Sequence, residues 1–423
     1  MKVLFLTPQV PYPPRQGAAL RNWGLISGLA ARHEVAVLSF LAPSPPLSSP
    51  KEEGKEKRTT SGGEAEETAD PLRAVCHVDT VQLPERTLHD RLRDLLTTRQ
   101  PDMALRLASE PYAERLSAWL ARESFDVVQI GGIEMAPYLD TVRAARPQPL
   151  IVFDNLNCEY LLQQRALLTD LRVPARWPGA AYSFVQWQRL RRYEAQVCRR
   201  ADRVLAVSDA DAEMLRKLVP GLEVTVVPNG VDMRAYPPTP SRPDTPPTLV
   251  FTGTMDFRPN VDAVLWFVRK VWPQIRAEVP EAHFFVVGQR PHRRLDGLRG
   301  DPAITLTGWV DDARPYIAQA TVYVAPLRIG GGTRLKLLEA MATGKPVVAT
   351  RLGAEGYPVT DERELLLADT PSAFAGAVMA LLRAPERRVE LGRAARVFVE
   401  QRYDWRAIVP RLEAVYGPMT SPG

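Results

Sequence analysis

Three consecutive glycines, Gly330, Gly331 and Gly332, precede Thr333, Arg334, Lys336 and Glu339 in the run RIGGGTRLKLLEAMATGKPVVAT, residues 328–350. Glycine weakens regular structure, and three of them before a helix-forming segment leave the main chain bare. At a helix N-terminus the unpaired N–H groups and the positive end of the dipole attract anions. Phosphate oxygens reach those groups with no Cβ in the way. Lys336 and Glu339 are three apart and Gly332 lies four before Lys336, so all three share one helix face. An arginine and a lysine there neutralise a diphosphate, and a carboxylate one turn deeper accepts hydrogen bonds from a ribose diol. The plainer alternative is a glycine turn, an amphipathic helix starting near Thr333 or Arg334, Gly344 as C-cap and Pro346 opening a strand.

Such a loop needs a strand before it, and TVYVAPL (321–327) is a buried one. Apolar strands alternate with helical runs along the whole chain, which predicts parallel sheets covered on both faces. In the first half, strands fit residues 3–6, 34–40, 78–82, 126–130, 150–153, 203–207 and 224–227. Helices fit 18–31, 104–122, 160–169, 183–200 and 209–219. The stretch 42–72 is rich in Pro, Ser, Gly and mixed charge, and reads as a disordered insertion. At 237–247, PPTPSRPDTPP has six prolines in eleven residues and reads as a stiff connector. Beyond it come LVFTG, a helix over 260–278, HFFVVG, ITLTG, a helix over 311–319, TVYVAP, a helix over 333–342 and PVVAT. The expectation is an α/β chain of two Rossmann-like domains facing across a cleft, with ligands at strand carboxyl ends. Residues 1–232 would form the first domain, 233–247 the linker and 248–400 the second. A helix over 401–418, with Pro410 inside it, would return to the first domain.

Composition narrows the function classes. The 423 residues are 45% hydrophobic and 24% charged, with a net charge of +5. This is a globular, mildly basic chain, suited to anionic partners without choosing among them. The three cysteines, Cys76, Cys158 and Cys198, are scattered and imply neither a disulfide framework nor a metal site, so a reducing cytoplasm is expected. MKVLFLTPQVPYPP reads as a first strand rather than a signal peptide. No window holds the 18 apolar residues that a membrane span needs.

The segment 328–350 resembles the donor-binding segment of GT-B glycosyltransferases of the large retaining class called family 4. Glu339 matches the second of two glutamates eight residues apart, which binds the nucleotide ribose in that family. The first falls on Gly331, as in a branch with the Gly-Gly-Gly-Thr-Arg-Leu-Lys form. LVFTGTMDFRPNVDAVLWF (249–267) resembles the strand and loop where Gly253 and Thr254 approach the diphosphate, with Arg258 the nearby cation. TLTGWVDDARPYIAQA (305–320) resembles the segment whose main chain, around Trp309 and Val310, holds the base; Trp309 reads equally as core. LTPQVPYPPRQGAALRNWG resembles the first loop, where Gly17 starts a helix near donor phosphate and acceptor, with the cation Arg21 close by. VFDNLNCEYLLQQR (152–165) resembles the block D-x-H-N-x-E-Y, with Leu156 in the histidine's place and Glu159 the remaining polar candidate.

The resemblance implies transfer of a sugar from a nucleotide-diphosphate sugar to an acceptor hydroxyl with retention, in cell-surface polysaccharide or glycolipid synthesis. Arg334, Lys336 and Glu159 are the implied catalytic residues. Gly17, Gly253, Thr254, Arg258, Val310, Gly330, Gly331, Gly332, Thr333 and Glu339 are the implied donor-binding ones. No D-x-D motif ends a strand, so no metal and no cofactor is expected. The acceptor would be a saccharide or a lipid-linked group, with no nucleic acid partner. The location would be cytoplasmic, with peripheral contact at the inner face of the membrane left open by the aromatic and basic run 176–200. A nucleotide-sugar epimerase of the same fold and a binding module without transferase activity are the rival readings.

Overall fold

The computed structural model describes residues 1–14, 17–41, 71–171, 173–174, 177–239, 246–330 and 333–417. The insertion expected at 42–72 falls outside the described residues up to position 70, as do linker positions 240–245 and Gly331 and Gly332. Pro71 and Leu72 correct that expectation. They open the short helix Pro71–Val75, ordered by the complete burial of Leu72. Internal contacts divide the chain into two compact units. One comprises Met1–Leu156 with Arg189–Val204, and the other Asn157–Gln188 with Leu205–Gly417.

The first sheet contains β1 (Lys2–Thr7), β2 (Glu34–Leu41), β3 (His77–Gln82), β4 (Val127–Gly131), β5 (Leu150–Asn155), β6 (Arg203–Ala206) and β7 (Val224–Val226). Their order is β3-β2-β1-β4-β5-β6-β7. β1 pairs in parallel with β2 and β4, β2 with β3, and β4 with β5. Val3 to Leu6 are essentially inaccessible, as expected for a central strand covered on both faces.

The second sheet contains β8 (Thr248–Thr252), β9 (His283–Val287), β10 (Ile304–Gly308), β11 (Val322–Ala325), β12 (Val347–Ala349) and β13 (Leu366–Leu367). Its order is β10-β9-β8-β11-β12-β13, with every pairing parallel. Alternate side chains feed two cores, as the period-2 geometry of strands requires. Leu249, Phe251, Val322, Val324 and Val348 join one cluster, whereas Val250, Tyr323, Ala325, Val347 and Ala349 join the other.

The helices depart from expectation in instructive places. The run 104–122 is two helices, Asp102–Arg106 and Glu110–Arg122, because the Ser109 side chain accepts from Tyr112 N and restarts the helix. The run 260–278 is helical from Arg258 but passes through a π-helical stretch, Phe267–Val271, before Trp272–Glu278. The helix expected from 311 begins at Arg314. The C-terminal helix, Trp405–Tyr416, contains Pro410 and groups with the second unit. A Cβ on Gly230 there would come within 2.6 Å of Ile408.

Candidate active site

In the second unit the strand order reverses at β8. Loops leaving the carboxyl ends of β8 and β11 therefore diverge, and such a switch point is where open α/β sheets bind ligands. Gly253 follows β8, and Gly330 lies in the loop after β11. The expected phosphate-binding helix follows that loop as Leu335–Ala342, with Arg334 at its N-cap in a non-helical conformation (φ −101°, ψ 86°). The helix therefore begins one to two residues later than the spacing predicts.

Lys336 reaches back from this helix toward the β8 loop. Its Nζ donates to Asn260 Oδ1 at 2.7 Å and lies 4.5 Å from the centroid of the Phe251 ring. Asn260 Nδ2 in turn donates to Thr254 O at 2.9 Å, which fixes the amide with its oxygen toward the amine. The approach to the backbone is close: a Cβ on Gly253 would stand 2.7 Å from Lys336 Nζ. Gly330 has φ +106°, and a Cβ there would meet Arg334 Nη2 at 3.0 Å. The glycines thus serve the cations.

Among the described residues, Nε and Nη2 of Arg334 are buried with no hydrogen-bond partner. Burial lowers this guanidinium's pKa, opposed by the charge of Glu355. That carboxylate is already held by Arg165 at 2.9 and 3.1 Å. Burial, helped by the charge of Arg334, brings the Lys336 amine down to about 7, with Glu339 pulling the other way. Glu339 Oε1 accepts from the Tyr236 hydroxyl at 3.0 Å. Burial raises the Glu339 carboxyl, and the Tyr236 hydrogen bond and the Lys336 charge oppose the rise. Two crowded cations above one carboxylate form a site whose electrostatics an added anion would relieve.

A pH dependence follows. An anion bound at Lys336 favours the protonated amine, so binding takes up a proton at and above neutral pH. Affinity for a nucleoside diphosphate should then fall from pH 6.5 to 8.5, by up to about tenfold per pH unit, until the pH passes the amine's bound-state pKa. Calorimetric titrations across that range measure it. A flat profile would show that Lys336 does not face the anion.

Two family models match the chain. Residues 15–235 match Glycosyltransferase Family 4, and residues 246–384 match Glycosyl transferases group 1. The chain belongs to glycosyltransferase family 4. It is 28% identical over 259 residues to a phosphatidyl-myo-inositol mannosyltransferase of Propionibacterium freudenreichii subsp. shermanii, an alignment covering 59% of this chain and 65% of the relative. With the enzyme of the same name from Mycolicibacterium smegmatis it shares 30% over 229 residues, covering 52% and 58%. The chain thus spans less than two thirds of the length of these relatives. Solved structures match along their whole length. Sucrose-phosphate synthase from Thermosynechococcus elongatus has a TM-score of 0.68 at 18% identity, covering 98% of each chain. Anabaena Alr3699/HepE in complex with UDP-glucose has a TM-score of 0.63 at 15% identity, covering 99% and 100%. The fold is GT-B, with two Rossmann-like parallel sheets.

Within this family 4 chain the second unit brings together Gly253, Thr254, Gly330, Arg334, Lys336 and Glu339. Thr333 lies beside them, its Oγ1 accepting from Asn229 Nδ2 at 2.9 Å. Arg258 instead pairs with Asp170 at 3.3 Å. Val310 packs its side chain against the apolar cluster, so any contact with a base comes from its main chain. Trp309 is 62% exposed, which settles it as surface rather than core. Glu159 opens the helix Glu159–Leu171 and accepts from Asn157 Nδ2 at 3.2 Å. Arg165, on the same helix, donates to Gly330 O at 3.4 Å. Glu159 thus stands about 9 Å along the helix from the residue that touches the glycine loop.

In the first unit Gly17 is the exposed first residue of the helix Gly17–Leu29. Arg21, four residues on, is no free cation for a ligand. It is 1% exposed and paired with Asp154 through Nε and Nη2 at 2.9 and 2.7 Å, with Gln129 donating to the same carboxylate. The sequence reading missed Tyr236, Asn260, Asn229 and Arg165. Asn229 stood in the turn Pro-Asn-Gly and Asn260 in Arg-Pro-Asn, but neither carried a signal of its partner.

Proposed function

We propose that the chain transfers a hexose from a nucleoside-diphosphate sugar to the hydroxyl of a lipid-linked polyol, with retention at the anomeric carbon. The observation that carries this reading is the Arg334 guanidinium, whose Nε and Nη2 are buried without a hydrogen-bond partner among the described residues, set beside Lys336 at the switch point of the second sheet. As the sugar leaves, negative charge grows on the diphosphate, and preorganised cations and N–H groups stabilise it. Glu339 accepts from the ribose hydroxyls. Glu159 joins the reaction centre in this reading through the family resemblance and its position on the Arg165 helix. The donor charge is met by protein cations, without a metal. The relatives' names, phosphatidyl-myo-inositol mannosyltransferase, favour a mannosyl donor and an inositol glycolipid acceptor.

A lipid acceptor calls for contact with a bilayer surface. No helix among the described residues is long and apolar enough to cross a membrane. The helix Leu88–Thr97, in the first unit, buries no residue and leaves Leu88, Leu92 and Leu96 at 75, 62 and 85% exposure with i, i+4, i+8 spacing. The helix Trp177–Arg200 exposes Trp177 and Phe184 together with Arg191 and Arg192. Its Arg189 is committed to the main chain of Leu95 at 2.6 Å. Such apolar stripes flanked by arginine suit an interfacial helix.

The test is a thermal-shift screen of nucleoside diphosphates and their sugars, with and without a chelator, followed by transfer assays on phosphoinositide vesicles. Stabilisation by one nucleoside diphosphate, and sugar transfer to lipid that survives chelation, are expected. Stabilisation without transfer across a donor panel would favour an inert binding module. Isomerised sugar released without acceptor would favour an epimerase. Failure to sediment with anionic liposomes at low salt would remove the membrane contact.

A further inference from the structure

We propose that Tyr236 positions Glu339 and through it selects nucleotides bearing an intact ribose diol; this rests on the nucleoside-diphosphate reading above. Tyr236 lies just after the short turn Met233–Ala235 and is far from Glu339 in sequence, yet its hydroxyl donates to Oε1 at 3.0 Å. Its main chain is clamped. Arg396 Nη1 donates to Tyr236 O at 2.5 Å and also to Ala342 O, at the last residue of the helix that carries Glu339. Arg314 Nη1 donates to the preceding carbonyl, Ala235 O, at 3.3 Å. The phenol and the carboxylate it orients are therefore referenced to the same helix from both ends.

With Oε1 accepting from the Tyr236 hydroxyl, the carboxylate is oriented and Oε2 is the oxygen this proposal assigns to the diol. A vicinal diol is best held by an ionised carboxylate, which accepts from both hydroxyls. The groups facing Glu339 include Tyr236, Lys336, Asp312 and Arg314, with the phenols of Tyr323 and Tyr357 also within reach of its charge. Burial and Asp312 favour its neutral form, while the Tyr236 hydrogen bond, Lys336 and Arg314 favour the anion. Tyr236 thus acts twice: it aims the acceptor oxygen and keeps it charged. Acting only through Glu339, it is a positioning residue.

The test titrates GDP and UDP, each with its 2′-deoxy form, into wild type, Tyr236→Phe, Glu339→Ala and the double variant, from acid pH, above the usual carboxyl range, up to neutral pH. For Tyr236→Phe the better ribonucleotide should bind about 10- to 150-fold more weakly, the scale of one hydrogen bond to a charged group. Its 2′-deoxy form should change by less than about twofold, and the acid limb of binding should move to higher pH as Glu339 protonates more readily. On the Glu339→Ala background, Tyr236→Phe should cost nothing more. Unchanged discrimination and an unchanged pH limb in Tyr236→Phe overturn the proposal. Additive losses in the double variant overturn it too, since they would mark a merely structural tyrosine. Wild type stabilised by no nucleoside diphosphate in the thermal-shift screen overturns the nucleoside-diphosphate reading and this inference with it, whereas a binding wild type with an unaffected Tyr236→Phe overturns this inference alone.

Discussion

Lys336→Ala should slow sugar transfer about a hundred- to a thousandfold, a loss of ~2.7–4 kcal/mol of barrier stabilisation. The amine is preorganised: Asn260 holds it at 2.7 Å, and Asn260 is itself fixed by the Thr254 carbonyl. Its surroundings are mostly protein, so a charge there acts on the leaving diphosphate with little screening. Because the diphosphate gains charge during reaction, kcat should fall more than donor affinity does. Single-turnover rates beside calorimetric affinities separate the two. A variant that transfers sugar at the wild-type rate would place the charge stabilisation elsewhere, with Arg334 the next residue to remove.

Arg21→Ala should be damaging in a different way, by destabilising the first unit by ~3–5 kcal/mol, the cost of leaving a buried charge without its partner. The Asp154 carboxylate, at 0% exposure, would keep the Gln129 amide but lose the guanidinium that balances its charge. Equilibrium urea unfolding should show an earlier transition, and Arg21→Met combined with Asp154→Leu should recover part of the loss. Nucleotide-induced thermal stabilisation should persist in the single variant wherever it remains folded, since Arg334, Lys336 and Glu339 all lie in the other unit. An unaltered unfolding curve would show the pair to be energetically idle.

Lys336 and Arg21 mark what could be read from sequence. The strands were legible because parallel sheets buried on both faces leave nearly unbroken apolar runs, and the donor segment because its chemistry is local. Arg334, Lys336 and Glu339 fall within six residues. What escaped was long range. Tyr236 meets Glu339 across 103 positions, Asn260 meets Lys336 across 76 and Asn229 meets Thr333 across 104. Arg21 was read as a ligand-facing cation beside a proline-rich loop because its carboxylate partner is 133 residues away. Arg258, likewise, is taken by Asp170. A cation's type is plain in a sequence, but whether the fold has already neutralised it is not.

The fit of Lys336 beneath Gly253 has a consequence for how this chain can change over generations. Any side chain at 253 would occupy the place of the amine, 2.7 Å from where a Cβ begins. Asn260 Nδ2 stands equally close, and φ there is +156°, so position 253 stays closed to side chains while position 336, 83 residues on, can change without touching it.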